Sequence, residues 1–254
     1  MLAREHLWIL AALVLLSSLA WAETIYLAGS MGLGMVTCSM TMGTPFSLSN
    51  AALYVVLWGV MMVAMMLPAM GPVVGLFHTI AQKKREQGIP FTSVWIFVAG
   101  YVVLWTLTGG VGYAADLAIQ ALPSAFPILR DHGAVIGGFT LIGAGVYQLT
   151  PFKYLCLSHC RSPMGFLMTN WRDGVLGAFG MGTRHGAYCL GCCWSLMVVL
   201  FVMGTMNLVW MGILSIVIFM EKIVSHGAVL GKFTGVALML LGLIMAAGMI
   251  PLTE

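Results

Sequence analysis

The sequence predicts an all-α, polytopic integral membrane bundle of about seven transmembrane helices with a cytoplasmic N-terminus. Three observations predict it. Of 254 residues, 61% are hydrophobic and only 7% charged, against about 25% charged in a soluble domain. Seven apolar runs are long enough to be read as spans. The basic residues cluster beside those runs on alternate sides, as membrane topology requires. The formal net charge of +3 comes from few, scattered residues. It does not suggest nucleic acid as a partner; the expected partner is the lipid bilayer. The 31 glycines suit close helix packing in lipid.

The first run covers about residues 7–28. Arg4, an apolar stretch and Ala20-Trp21-Ala22 before Glu23 resemble a secretory signal. Apolar character resumes at Ile25 and continues to Ala28, which favours an uncleaved first helix. The second run covers about 50–80, the third about 91–115, the fourth about 133–150, the fifth about 174–204, the sixth about 207–224 and the seventh about 228–250. Lys83, Lys84 and Arg85 put the loop after the second run inside; Lys153, Arg161 and Arg172 do the same for 151–172, and Lys222 and Lys232 for the loop after the sixth. Arg4 agrees. Asp116, Asp131 and His132 then fall at the solvated outer boundary. The chain is expected to form one transmembrane domain over 1–254, its metal-site region at about 151–204, with no repeat or soluble domain.

The fifth run would reach roughly 46 Å as one helix, against an apolar core of about 30 Å. Asp173 is placed to cap its start. Gly180 and Gly182 suggest a break, with an interfacial or partly re-entrant piece near 174–182 and the helix proper from about 185.

Within that run stands His185-Gly-Ala-Tyr-Cys189-Leu-Gly-Cys192-Cys193. On a helix these four groups fall within an arc of roughly 100°. Three thiols and an imidazole form a Cys3His donor set for a soft or borderline metal, although one helix alone cannot wrap an ion. Cys189 and Cys192 are also a C-x-x-C pair with a redox reading, and free cysteine can simply fill a core. Upstream, Cys156-Leu-Ser-His159-Cys160 could complete the site or hand an ion to it.

Met61, Met62, Met65, Met66 and Met70 make i, i+4 pairs ahead of and beyond Pro68. Such thioether rows suit copper(I); methionine as apolar filler is the plainer account. Pro68 should kink the helix. His78 could add a ligand or sit at the interface. Cys38 lies among Met31, Met35, Met40 and Met42 in an outer segment that could collect a soft cation or be a plain Gly-rich loop. Glu221 is expected to pair with Arg184 or Lys222, and Lys222 to snorkel outward. No Walker motif, H-E-x-x-H, G-x-S-x-G or paired-His haem pattern is present, so ATP-driven and hydrolase readings lack support, and an enzyme is the less expected class.

With these residues in view, the chain resembles a family of uncharacterised bacterial integral membrane proteins predicted to bind metal. The resemblance rests on Met61-Met-Val-Ala-Met-Met-Leu-Pro68, Tyr147-Gln-Leu-Thr-Pro-Phe-Lys153, Cys156-Leu-Ser-His-Cys-Arg-Ser-Pro163, His185 through Trp194, Met206-Asn-Leu-Val-Trp-Met211 and Glu221-Lys222. It implies an uncleaved multi-span protein of the bacterial inner membrane that binds a metal.

The expected function is handling of copper, with zinc the second choice, in delivery, transport or metalloenzyme assembly. The expected ligands are His185, Cys189, Cys192, Cys193, Cys156, His159 and Cys160, with Met61, Met62, Met65 and Met66 as a low-affinity path. A metallochaperone or a membrane metalloenzyme would be the partner. A membrane thiol–disulfide oxidoreductase using Cys189 and Cys192, and an accessory subunit with a structural metal, stay open as alternatives.

Overall fold

A computed structural model describes residues 2–30, 47–89, 92–125, 132–204 and 207–249. Among these residues the secondary structure is entirely helical: α1 (Leu2–Ser30), α2 (Leu48–Met66), a 3-10 turn (Pro68–Met70), α3 (Gly71–Glu86), α4 (Val94–Ala125), α5 (Gly133–Leu149), α6 (Pro151–Arg161), α7 (Pro163–Asn170), α8 (Gly174–Met203), α9 (Leu208–Ile223) and α10 (Gly227–Ala246). Five of them, α1, α2, α4, α8 and α10, are long and apolar enough to cross a membrane. The bent pair α5–α6 makes a sixth if counted as one span. At 16 residues, α9 extends about 24 Å, so the sixth apolar run yields a short helix.

Pro68 ends α2 for a covalent reason. Without an N–H it cannot bond the carbonyl four residues back, that of Ala64. Two donors one turn apart on α1 take over this acceptor: Ser17 Oγ at 2.9 Å and Trp21 Nε1 at 3.1 Å. An unmet buried carbonyl would cost about 1–3 kcal/mol, so the break in α2 ties α1 to the bundle. Trp21, the central residue of the signal-like triplet, is one of the two ties.

Two glycine-lined crossings order the remaining long helices. Where α4 meets α8, Gly182 faces the Phe97 carbonyl and Gly100 faces that of Phe179. Thr183 Oγ1 donates to the Gly100 carbonyl at 3.3 Å. Contrary to expectation, α8 is therefore unbroken from Gly174 to Met203; Gly182 lets another backbone approach and does not interrupt its own. Where α5 meets α10, Gly138 opposes Gly242 and Gly145 opposes Gly235 across an antiparallel contact. The seven-residue spacing on both sides of this seam keeps the small residues facing each other.

The segment 151–172, read from sequence as a loop, holds α6 and α7. Thr150 is extended (φ −74°, ψ 149°) and Pro151 opens α6, as the restriction on a residue before proline dictates. The axis turns by 61° there, and α6 is laid across α8. Asp173 does stand at the start of α8, but its side chain makes no cap hydrogen bond. It takes Lys84 Nζ at 2.8 Å and Trp171 Nε1 at 2.7 Å. These bonds, that from Lys84 foremost, hold its carboxyl below the usual carboxylate range. Asp116 is buried, not solvated, at 4% exposure. Asp131 lies outside the described residues.

A Cβ at Gly145 would stand 2.5 Å from the Gly235 carbonyl, whereas Gly143 has nothing within 4 Å. Gly145→Ala should therefore destabilise the fold by about 1–3 kcal/mol, and Gly143→Ala should be neutral or stabilising by up to about 1 kcal/mol. Thermal unfolding in detergent followed by circular dichroism would separate the two; equal effects would refute the close-crossing account.

Candidate copper site: a thiol cluster between two helices

Five thiols meet where α6 packs on α8. Cys189, Cys192 and Cys193 are 0–1% exposed, while Cys156 and Cys160 on α6 are half-buried. The periodicity of α8 turns the three inner thiols to the protein interior. Cys192 and Cys193 both donate to the Cys189 carbonyl, at 3.1 and 2.9 Å. Their thiols also interact with that of Cys189 and with each other. Cys160 reaches across from α6 to Cys192. Cys156 packs over Gly191, where a Cβ would meet its sulfur at 2.6 Å. Gly191 thus leaves room for the fifth thiol, and its carbonyl accepts Tyr147 Oη at 2.5 Å. The cluster grades from half-buried sulfurs to fully buried ones.

Polar groups from α4, α5, α6 and α9 surround it. Cys189 Sγ receives Lys222 Nζ at 2.8 Å and lies 3.0 Å from Tyr101 Oη. Lys222 points inward at 9% exposure, so it does not snorkel as expected. Glu221 pairs neither with Arg184 nor with Lys222. Both its oxygens take Lys153 Nζ, at 2.8 and 2.7 Å, in an ion pair whose side chains are 2% and 0% exposed. The same ammonium donates to Gln148 Oε1. Arg161 closes the end of α9 through the carbonyls of Glu221, at 2.9 Å, and Ser225, at 2.7 Å. Cationic side chains favour the carbonyl end of a helix in this way.

The remaining candidate residues are distributed differently. His185 is buried beside the thiols, but its ring sits in an aromatic box of Phe97, Tyr101 and Phe166, with centroids 6.1, 5.9 and 5.0 Å away. Its Nδ1 is buried with no hydrogen-bond partner among the described residues. His159 stacks on Tyr188 at 4.2 Å and engages the Leu155 carbonyl at 2.8 Å. Met61, Met62, Met65 and Met66 are at most 2% exposed and belong to the same continuous core as Cys189, Cys192 and Cys193. Met66 ends α2 while Met70 ends the 3-10 turn, so the two do not share one α-helix. His78 faces Glu5, 3.3 Å away. Cys38 and the methionines around it lie outside the described residues. Among the described residues no three His, Cys, Asp or Glu side chains stand around a common point that an ion could fill; the thiols hold one another and the Cys189 carbonyl instead.

The sequence profile of PpoB2, described as a copper chaperone, matches residues 55–245. The chain belongs to the PpoB2 copper chaperone family. Neither a curated protein nor a solved structure matches it. The family description points to a copper-related function. The matched residues run from α2 to α10 and include every thiol of the cluster.

Sequence reasoning missed Tyr101, Lys153 and Lys222 as neighbours of the cluster. A usable signal existed for Lys222: Glu221-Lys222 closes an apolar helix, and ionisable groups in apolar spans are functional candidates by default. Tyr101 carried none, because any apolar helix holds such a tyrosine.

With Cys38 replaced by serine, alkylation by a small maleimide should proceed in two phases. Cys156 and Cys160 should react first, and Cys189, Cys192 and Cys193 only on unfolding. Site-resolved mass spectrometry would follow it; labelling of all five at one rate would contradict the graded cluster.

Proposed function

We propose that this protein is an integral membrane copper chaperone that carries copper(I) on the thiols of α6 and α8 and delivers it to a partner metalloenzyme. The observation that carries the reading is the convergence of Cys156, Cys160, Cys189, Cys192 and Cys193 from two helices in a chain of a copper chaperone family. Buried thiols deprotonate when a metal displaces the proton. Copper(I) accepts two or three sulfurs. Loading then asks only that Cys192 and Cys193 give up the Cys189 carbonyl and turn their sulfurs to the ion, a side-chain rotation within one helix. His185 Nδ1, buried and unpartnered among the described residues, is a donor that the same rotation could recruit. Cys156 and Cys160, being half-buried, are the first and last stations of the ion, and His159 flanks them. The four methionines of α2 provide the weaker thioether path.

The chain is read as one transmembrane domain of seven crossings, with α9 the short one. Five apolar helices support this, and a sixth if α5–α6 counts as one span. The N-terminus is taken as cytoplasmic in a bacterial inner membrane, from Lys83, Lys84 and Arg85 at the end of α3 and from the family resemblance. The two bonds from α1 to the Ala64 carbonyl support a retained first helix. An intact mass that includes residues 1–28 is expected, and a product starting at Glu23 would overturn that part.

The decisive experiment is metal content by mass spectrometry, on protein purified anaerobically in mild detergent beside a Cys189→Ser, Cys192→Ser, Cys193→Ser variant. Stoichiometric copper, lost in the variant, is expected. Zinc in its place would reassign the cargo. No metal in either, with thiols that oxidise in pairs, would replace the chaperone by a thiol–disulfide oxidoreductase.

A further inference from the structure

Around the thiol cluster the buried charges do not cancel. Lys153 and Glu221 neutralise each other, since both carboxylate oxygens are taken by the Lys153 ammonium. Lys222 is then left as an excess cation. The acceptor its ammonium meets is a sulfur, Cys189 Sγ, at 2.8 Å. The other groups in electrostatic reach of it include Tyr101, Cys160, Cys192, Cys193, His185 and Glu221. The one carboxylate among them, Glu221, has both oxygens on Lys153. Two ammonium groups sharing one carboxylate leave a net positive charge that is costly in an apolar interior, so the excess charge calls for thiolate sulfur beside it. A copper(I) ion on two thiolates carries a net charge of −1, and on three, −2. Either centre gains from one fixed positive charge, and the gain is large where the dielectric is low. A thiolate sulfur has enough lone pairs to bind copper and accept an N–H at once, so the contact need not be broken on loading.

We propose that Lys222 is the built-in counter-charge of the copper site, holding Cys189 for the ion and balancing the anionic copper–thiolate centre; this rests on the copper(I) reading above. Lys222 is a positioning residue: it touches the ligand and not the metal.

The test compares copper(I) affinity, by competition with a chromophoric copper(I) chelator in detergent, for wild type, Lys222→Met, Lys222→Gln, Lys222→Arg and Tyr101→Phe. Both neutral variants should bind at least about tenfold more weakly, which corresponds to about 1.4 kcal/mol. Lys222→Arg should recover most of that loss. Tyr101→Phe removes the second hydrogen-bonding partner of the same sulfur without changing charge, and should shift affinity by less than about threefold. The contrast between arginine and the neutral residues isolates charge from packing. Circular dichroism and gel filtration select the variants that keep the fold, and two neutral replacements guard against the loss of either. Neutral variants with wild-type affinity would overturn the inference while leaving the copper reading intact. A loss in Tyr101→Phe as large as in Lys222→Met would overturn it too, by assigning the effect to hydrogen bonding. Failure of the wild type to bind copper(I) would instead sink the underlying reading.

Discussion

The buried ion pair of Lys153 and Glu221 holds together the part of the molecule that carries the thiol cluster. Lys153 sits two residues into α6 and also engages Gln148 at the end of α5; Glu221 sits in the last turn of α9. One contact therefore sets three helices against one another, with both side chains at most 2% exposed. Its consequence is positional. Holding α6 in place brings Cys156 and Cys160 onto α8, and holding α9 in place turns Lys222 toward Cys189. Buried pairs of this kind add little net stability over an apolar filling, yet removing one partner strands the other at a cost of several kcal/mol. The arrangement is specific for that reason.

Helix packing supplies the second requirement, close approach. A thiol cluster between two helices needs backbones near enough for side chains as short as cysteine to meet. Gly191 provides that space on α8, opposite Cys156, while Gly182 and Gly100 draw α4 against the same helix and bring Tyr101 to Cys189. The kink at Pro151 completes the geometry by swinging α6 across α8. Polar backbone groups freed by such devices are met within the fold, as at Ala64. The result is a site whose sulfurs are held by hydrogen bonds they can exchange. That suits the proposed chaperone role, because a carrier must release what it binds.

Much of this is legible in the amino-acid sequence. The helical class, the break at Pro68 and most helix positions follow from hydropathy and from the chemistry of proline, both local properties. The candidate thiols are legible too, since their spacing on α8 fixes the face they share. Less legible are the loops and the glycines. Segment 151–172 looks like a connection because its charges mimic a solvated loop; Lys153 is nevertheless wholly buried, its partner 68 residues away. Gly180 and Gly182 look like a weak point because a glycine's local cost can be read from sequence, while the carbonyl it admits cannot.

By itself, the sequence determined what depends on neighbours along the chain: apolar helices, where proline interrupts them, and which side of α8 carries sulfur. Tertiary structure alone decided which side chains complete the cluster. Cys160 reaches Cys192, Tyr101 and Lys222 share Cys189, and His185 turns to an aromatic box and His159 to Tyr188, each through residues distant in sequence. The physical reason is that helical periodicity fixes the direction of a side chain relative to its own axis, whereas its partner depends on crossing angles and separations set by the glycines, the prolines and one buried ion pair.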